Sequence, residues 1–252
     1  MKISYAITVC NEFVEIQKLV NLIRENKRQQ DEIIILFDQT NGEEEIATWL
    51  AKQSKYPNVQ FWRGLDFDGH FANWKNQLTD YCNGDYIFQI DADEFPHKSL
   101  LTSLPVILQS NPDNEVYLVP RVNTVKGLTK EHITKWGWNV NNEGWVNWPD
   151  YQWRIWKNNT DIKWINKVHE KLDGYTKYGP LPDLPELALY HPKDIDRQEK
   201  QNNFYDNLLN VDNHYSSEEL KEFYQGPTNK LANLFIPFIN LIFIFNETYK
   251  YI

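Results

Sequence analysis

Two carboxylates one residue apart, in Asp91-Ala92-Asp93-Glu94, follow directly on the apolar run Tyr86-Ile87-Phe88-Gln89-Ile90. Along one strand face they could not point the same way, but in a turn beyond the strand's end they can converge on one hard cation. Oxygen ligands of this kind suit Mg²⁺ or Mn²⁺, which also hold diphosphates. The triplet alone equally describes an acidic turn whose side chains cap their own backbone. A second pair, His169-Glu170, sets a potential metal ligand beside a carboxylate able to accept a proton. Strand neighbours face opposite sides, so both reach one cleft only where a strand ends. His191 competes with His169 as a metal ligand, and Asp150 competes with Glu170 as a base. Trp136, Trp138, Trp145, Trp148, Trp153, Trp156 and Trp164 form a third group. Apolar sugar faces stack on indoles and the indole N–H can donate to a hydroxyl, so this stretch suits a saccharide as well as an aromatic core. Most of the seven are expected in the core, with one or two meeting substrate.

The elements that must position these residues show in the first third of the chain, where β-rich runs alternate with helical periods in the order of βαβ units. Ile3 to Val9 reads as a strand. Asn11 is placed to cap a helix whose Phe13, Ile16, Val20 and Ile23 share a face. Ile33 to Phe37 is continuously apolar, as in a strand buried on both faces, and stops at Asp38-Gln39-Thr40-Asn41-Gly42. A helix over 43–52, a short strand over 59–62, and a helix over 70–82 closed by Asn83-Gly84 lead into the strand before Asp91. In open α/β sheets, ligands sit at the carboxyl ends of such strands. A helix over 99–109 and a strand over 116–122 follow. The Trp-rich stretch then reads as an irregular, partly β region with strand-like pieces over 151–156 and 162–168, and 194–222 is polar and helical in character.

A chain of 252 residues with 41% apolar and 24% charged residues can bury a core without disulfides or a structural metal. Its net charge of −9 argues against a nucleic-acid partner. Two cysteines, Cys10 and Cys82, make no disulfide framework, and no signal-peptide pattern follows Met1-Lys2, so the expected location is cytoplasmic. The apolar segment from Leu234 to Phe245 is too short and interrupted for a membrane span. Its first expected role is packing against a domain or another subunit, its second a peripheral contact at a membrane interface.

The order Ile7-Thr8-Val9-Cys10-Asn11-Glu12, then Asp31-Glu32-Ile33-Ile34-Ile35 leading to Asp38, then Lys75-Asn76, then Gly84 to Glu94, resembles the nucleotide-sugar half of glycosyltransferase family 2. The likeness extends through Arg154 to Val168-His169-Glu170, similar to an element of branches that build bacterial surface glycans. The resemblance implies an α/β GT-A fold, with a Rossmann-like, mostly parallel sheet flanked by helices. It implies a catalytic domain over 1–193, divided into a nucleotide-sugar half (1–122) and an acceptor half (123–193), with a helical extension over 194–252. It further implies a metal-dependent, inverting transfer from a nucleoside-diphosphate sugar to a saccharide, lipid-linked or protein-linked acceptor hydroxyl. Thr8 and Glu12 would line the nucleotide pocket, Asp38 would bond the base, Lys75 and Asn76 would lie near the diphosphate, and Asp91 would meet ribose and metal. Asp93 and His169 would ligate Mn²⁺ or Mg²⁺, and Glu170 would be the base. Two departures stand out: the loop after Asp38 lacks the usual Ser and second Asp, and a Trp-Lys-Asn sequence replaces the usual small-residue-Arg-Asn turn. A Lys on an amphipathic helix is more often a solvated charge, so Lys75 is the weakest of these sites. The alternatives are a sugar-phosphate nucleotidyltransferase, whose Gly-rich phosphate loop is missing at Cys10-Asn11-Glu12-Phe13, and a non-catalytic carbohydrate-binding module, which would not need Asp91, Asp93 and Glu170.

Overall fold

The computed structural model describes residues 1–64 and 67–212, the last eight of these without their side chains. The expectations for 234–245, and for the polar stretch beyond 212, lie outside the described residues. Among those described, no helix is long and apolar enough to cross a membrane.

The chain opens with β1 (Ile3–Val9), α1 (Phe13–Asn26), β2 (Glu32–Asp38), α2 (Glu44–Gln53), β3 (Val59–Gly64), α3 (Phe71–Asp80) and β4 (Tyr86–Asp91). Strands β1 to β4 are mutually parallel where they pair, in the spatial order β4-β1-β2-β3. Their alternation decides the layers. Tyr5, Ile7, Ile33, Ile35 and Phe37 face a core shared with Ile16, Leu19, Val20 and Ile23 of α1 and with Ile46 and Leu50 of α2. Ala6, Ile34 and Leu36 face Ala72, Trp74 and Leu78 of α3 on the other side. With both faces covered, β2 is buried at all seven positions, which is why its sequence is a continuous apolar run. Helix α1 starts one residue later than the Asn11 cap would place it. Glu12 is the capping residue, and its carboxylate turns back to accept from the N–H groups of Cys10 and Asn11.

Beyond β4 come β5 (Phe95–Pro96), α4 (Lys98–Ser110), β6 (Val116–Val119), β7 (Arg121–Lys126) and α5 (Lys130–Trp136). The single strand expected over 116–122 is in fact two. Pro120 offers no N–H to a ladder, and its carbonyl accepts from Leu189, so the chain changes sheets at this residue. The remaining elements are β8 (Gln152–Lys157), β9 (Lys163–Ile165), β10 (Lys171–Asp173), β11 (Tyr178–Pro180), β12 (Leu189–Asp194) and α6 (Ile195–Asp212). The main sheet reads β11-β6-β8-β4-β1-β2-β3, and β8 is its one reversed strand. A second sheet, β5-β12-β7, stands against the edge where β4 and β6 end, and β9 and β10 make a hairpin. This is the mixed α/β, mostly parallel architecture of the GT-A fold. The strand expected over 162–168 stops at Ile165, and positive φ at Asn166 (76°) and His169 (54°) turns the chain before β10. His169 and Glu170 are therefore not strand neighbours.

Candidate active site

Register brings the first residues together. Thr8 pairs with Asp91 across β1 and β4, so both reach the carboxyl edge of the sheet, where the Thr8 hydroxyl donates to Asp91 at 3.3 Å. Gln89, two residues back on the same face, donates to the same oxygen at 2.8 Å. The chain then turns sharply. The Glu94 N–H donates to the Asp91 carbonyl, and the Glu94 carboxylate accepts from the Asp91 N–H. That turn separates the two aspartates. Asp91 faces Arg154, at 2.7 Å, and Lys75, at 3.6 Å, whereas Asp93 faces His191 and Arg197, each at 3.1 Å. Among the described residues the two carboxylates share no partner.

From Asp91 a chain of polar contacts leads round to Asp93. Arg154 donates to Gln89, Asp91 and the fully buried Glu94. Arg121 joins Glu94 to Asp150 at 2.8 and 2.7 Å. Asn123 donates to Asp150 at 2.7 Å and meets His191 Nδ1 at 3.0 Å, and His191 Nε2 meets Asp93. Burial opposes ionisation throughout this ring. At Asp91 the cations Arg154 and Lys75 overcome it and hold the carboxyl far below the usual carboxylate range. At Asp93 the contact with His191 comes first, with Lys193 and Arg197 behind it, and at Glu94 and Asp150 Arg154 and Arg121 respectively lead in outweighing burial and depressing the carboxyls.

Donor bookkeeping around the ring fixes one tautomer. An ionised Asp150 only accepts, so Asn123 turns its amide nitrogen toward it and presents its oxygen to His191. His191 Nδ1 must then carry the proton. Burial pushes the His191 pKa down and Asp93 only partly offsets this; in the neutral ring Nε2 is the nitrogen left without a proton. Asp93 Oδ2 and His191 Nε2 stand 3.1 Å apart, and a cation can take the place of the proton between them. An octahedral ion with bonds of about 2.1 Å sets adjacent ligands about 3.0 Å apart, so this donor pair fits such an ion. Among the described residues no three His, Cys, Asp or Glu side chains form a closed cage. Two protein ligands with substrate oxygens and water in the remaining positions is how Mg²⁺-type sites are commonly built.

The other sequence candidates divide between open and occupied. Lys75 is only 4% exposed, contrary to the solvated charge its helix suggested. It bonds Glu170, lies over the Trp164 ring at 4.8 Å and reaches toward Asp91, so it ties Glu170 to the carboxyl edge of the sheet. Asn76 uses both ends of its amide on the backbone of Trp164 and so holds β9 against α3. Asp38 caps its own turn, accepting from the N–H groups of Thr40 and Asn41. Asp150 receives Arg121, Asn123 and Gln152, which occupies both of its oxygens. His169 is partly buried, and burial lowers its pKa. Of the seven tryptophans only Trp156 and Trp164 are buried, fewer than expected. Trp153 flanks that core. Trp136, at the end of α5, with Trp138, and Trp145 with Trp148, form half-buried pairs on a segment joined to β7 by the bridge between Asn123 and Val146.

A strand-end acidic turn on a mostly parallel sheet suits several sugar-nucleotide enzymes, and comparison with known proteins decides among them. The family model described as glycosyl transferase family 2 matches residues 4–176. The chain belongs to glycosyl transferase family 2. In three dimensions the family 2 domain resembles S. aureus TarS 1-349 in complex with UDP-GlcNAc, with a TM-score of 0.55 and 14% identity over 77% of this chain and 59% of that one. The structure of TarS 1-349 described without that ligand gives 0.54 and 12% over 76% and 60%. At such identity the likeness is one of fold, and the chain spans about three fifths of TarS 1-349. The matched family segment ends before β12 and α6, which supply His191 and Arg197. The sequence reading treated His191 only as a competitor and passed over Glu94, Arg121, Asn123 and Arg197 as site residues. Glu94 and Arg154 stood inside the quoted motifs. The others carry no local signal, since each meets its partner 27 or more residues away.

Proposed function

We propose that this family 2 domain, spanning 1–193 with 194–252 as an extension, transfers a sugar from a nucleoside-diphosphate donor to an acceptor hydroxyl with inversion at the anomeric carbon. A divalent ion, Mn²⁺ or Mg²⁺, is held by Asp93 and His191. The observation that carries this reading is Asp93 Oδ2 standing 3.1 Å from His191 Nε2, with the ring held from behind by Asn123 at Nδ1. Bound there, the ion supplies positive charge to the leaving diphosphate. UDP in complex with TarS supports a uridine nucleotide as the first donor to test.

The chain's own groups do the rest. Thr8 and Asp91 floor the nucleotide cleft at the ends of β1 and β4, and Arg154 keeps the Asp91 carboxylate ionised and oriented. Glu170 accepts the proton of the acceptor hydroxyl as that oxygen bonds to the anomeric carbon and the bond to the diphosphate breaks. Asp150 suits this role less well, because its oxygens are committed and its pKa is depressed. Lys75, bonded to Glu170 and 3.6 Å from Asp91, positions the base relative to the donor. The half-buried pairs Trp136–Trp138 and Trp145–Trp148 suit stacking of an acceptor sugar.

Calorimetric titration of UDP with and without Mn²⁺ tests the reading. Asp93→Asn and His191→Ala should each weaken Mn²⁺-dependent UDP binding about tenfold or more, while His169→Ala leaves it intact. If His169→Ala loses that binding and His191→Ala keeps it, the ligand is His169. If no variant differs from wild type, the metal assignment fails.

A further inference from the structure

Three arginines reach the carboxylates of the site, and one is held unlike the others. Arg154 and Arg121 sit 2.7–2.9 Å from their acidic partners, the range of full charge-assisted bonds, and are 4% and 19% exposed. Arg197, in the first turn of α6, stands 3.1 Å from Asp93, 3.3 Å from Glu12 and 3.4 Å from Glu15, and is 33% exposed. It is shared among three acids and closes a short pair with none. The Asp93 oxygen it meets is the one that faces His191 Nε2. Arg197 thus sets a positive charge beside the Asp93 carboxylate through longer, shared contacts. Arg197 also lines a cleft of about 570 Å³ together with the basic Lys126 and Lys193 and the acidic Glu15, Glu143 and Asp194.

We propose that Arg197 is a donor-binding residue that serves as counter-ion to Asp93 in the empty site and transfers to the diphosphate when metal and nucleotide bind. This inference rests on the metal reading above. A divalent ion on Asp93 and His191 would stand at contact distance from the guanidinium, and like charges there repel strongly. Metal alone must therefore displace Arg197 from Asp93 and leave it only its longer contacts with Glu12 and Glu15. A diphosphate provides the receiver, because a guanidinium fork matches phosphate oxygens in pairs. Metal and nucleoside diphosphate then bind cooperatively, and by linkage each strengthens the other by the same factor.

The test is Mn²⁺ titration by calorimetry of wild type, Arg197→Gln and Arg197→Lys, with and without saturating UDP. Mn²⁺ alone should bind Arg197→Gln at least about fivefold tighter than wild type. The gain in Mn²⁺ affinity caused by UDP should shrink about fivefold or more in that variant. Arg197→Lys, which keeps the charge but loses the fork, should retain weak binding of metal alone while losing part of the coupling. Equal Mn²⁺ affinity in wild type and Arg197→Gln, or unchanged coupling to UDP, overturns the proposal. If Asp93→Asn abolishes Mn²⁺ binding while Arg197→Gln alters nothing, the Arg197 assignment alone fails. If wild type binds no Mn²⁺ even with UDP, the metal reading fails with it.

Discussion

Replacing Arg154 by Met would keep most of the side chain's volume and remove the charge that joins Asp91 to Glu94. Both partners lie 2.7 Å from one guanidinium nitrogen, and Glu94 is fully buried. Breaking a buried ion pair from one side costs about 3–5 kcal/mol, because a charge is left without compensation. Glu94 would still have Arg121 at 2.8 Å, and Asp91, 32% exposed, would still have Lys75 at 3.6 Å. The cost therefore falls at the low end, about 3 kcal/mol. For a domain of this size that is roughly a 6–12 °C fall in Tm. The sign of its pH dependence follows from the carboxyls. In the wild type both are depressed below their ordinary values of 3.8 and 4.5, so the stability they contribute is present at neutral pH and is lost as pH falls below those values. Without Arg154 they take up protons more readily, and protonation relieves the unpaired charge. Scanning calorimetry at pH 7 and pH 3.5 should thus show a gap between variant and wild type that narrows at the lower pH. A gap below about 1 kcal/mol, or one that stays constant, would show that Arg154 is not the residue holding these carboxylates ionised.

Glu170→Gln should cut the transfer rate on the order of 10²-fold while leaving the UDP Kd unchanged, whereas Asp150→Asn should lower Tm through its loosened hold on Arg121. Steady-state rates beside a UDP titration separate the two, and the reverse pattern makes Asp150 the base. Gly174 has φ +84°, and a Cβ there would lie 1.9 Å from the Asp161 carbonyl oxygen, so Gly174→Ala should destabilise by about 2 kcal/mol or more in urea unfolding. Because burial lowers the His191 pKa below its ordinary 6.5, Mn²⁺-dependent UDP binding should stay level from pH 8 through 6.5 and fall only below that. A midpoint at or above 6.5, read by calorimetry across this range, would place His191 outside the metal site.

Legibility in the sequence followed the range of the interaction. Strand β1 coincides with its apolar run and β2 extends one residue beyond its run at each end, because burial on both faces leaves a local, continuous signature. The acidic turn after β4 was legible for the same reason, since a buried strand running straight into carboxylates is a local event. Strand β12 had no such mark. Its sequence, LYHPKD, alternates poorly and is held by pairing with β7 some seventy residues earlier. His191 therefore read as a rival to His169 rather than as the partner of Asp93. Lys75 was misjudged because helix periodicity reports which face is polar, whereas its burial comes from the β9–β10 hairpin covering that face. Five of the seven tryptophans stayed half-exposed because composition shows how much aromatic surface exists and not what is available to cover it.

The bridge between Asn123 and Val146 closes the chain on itself beside the ring of polar contacts, with α5 and both half-buried tryptophan pairs at or near the closed segment. Everything between those two residues departs from one point of a rigid frame and returns to the same point. The entropic cost of closing such a loop grows only about 0.6 kcal/mol for each doubling of its length. This lobe can therefore be lengthened, shortened or exchanged at little expense to β7, β8 or the Asn123 contact that fixes His191. It is a part of the molecule whose length and sequence can drift while Asn123, Asp150 and His191 keep their contacts.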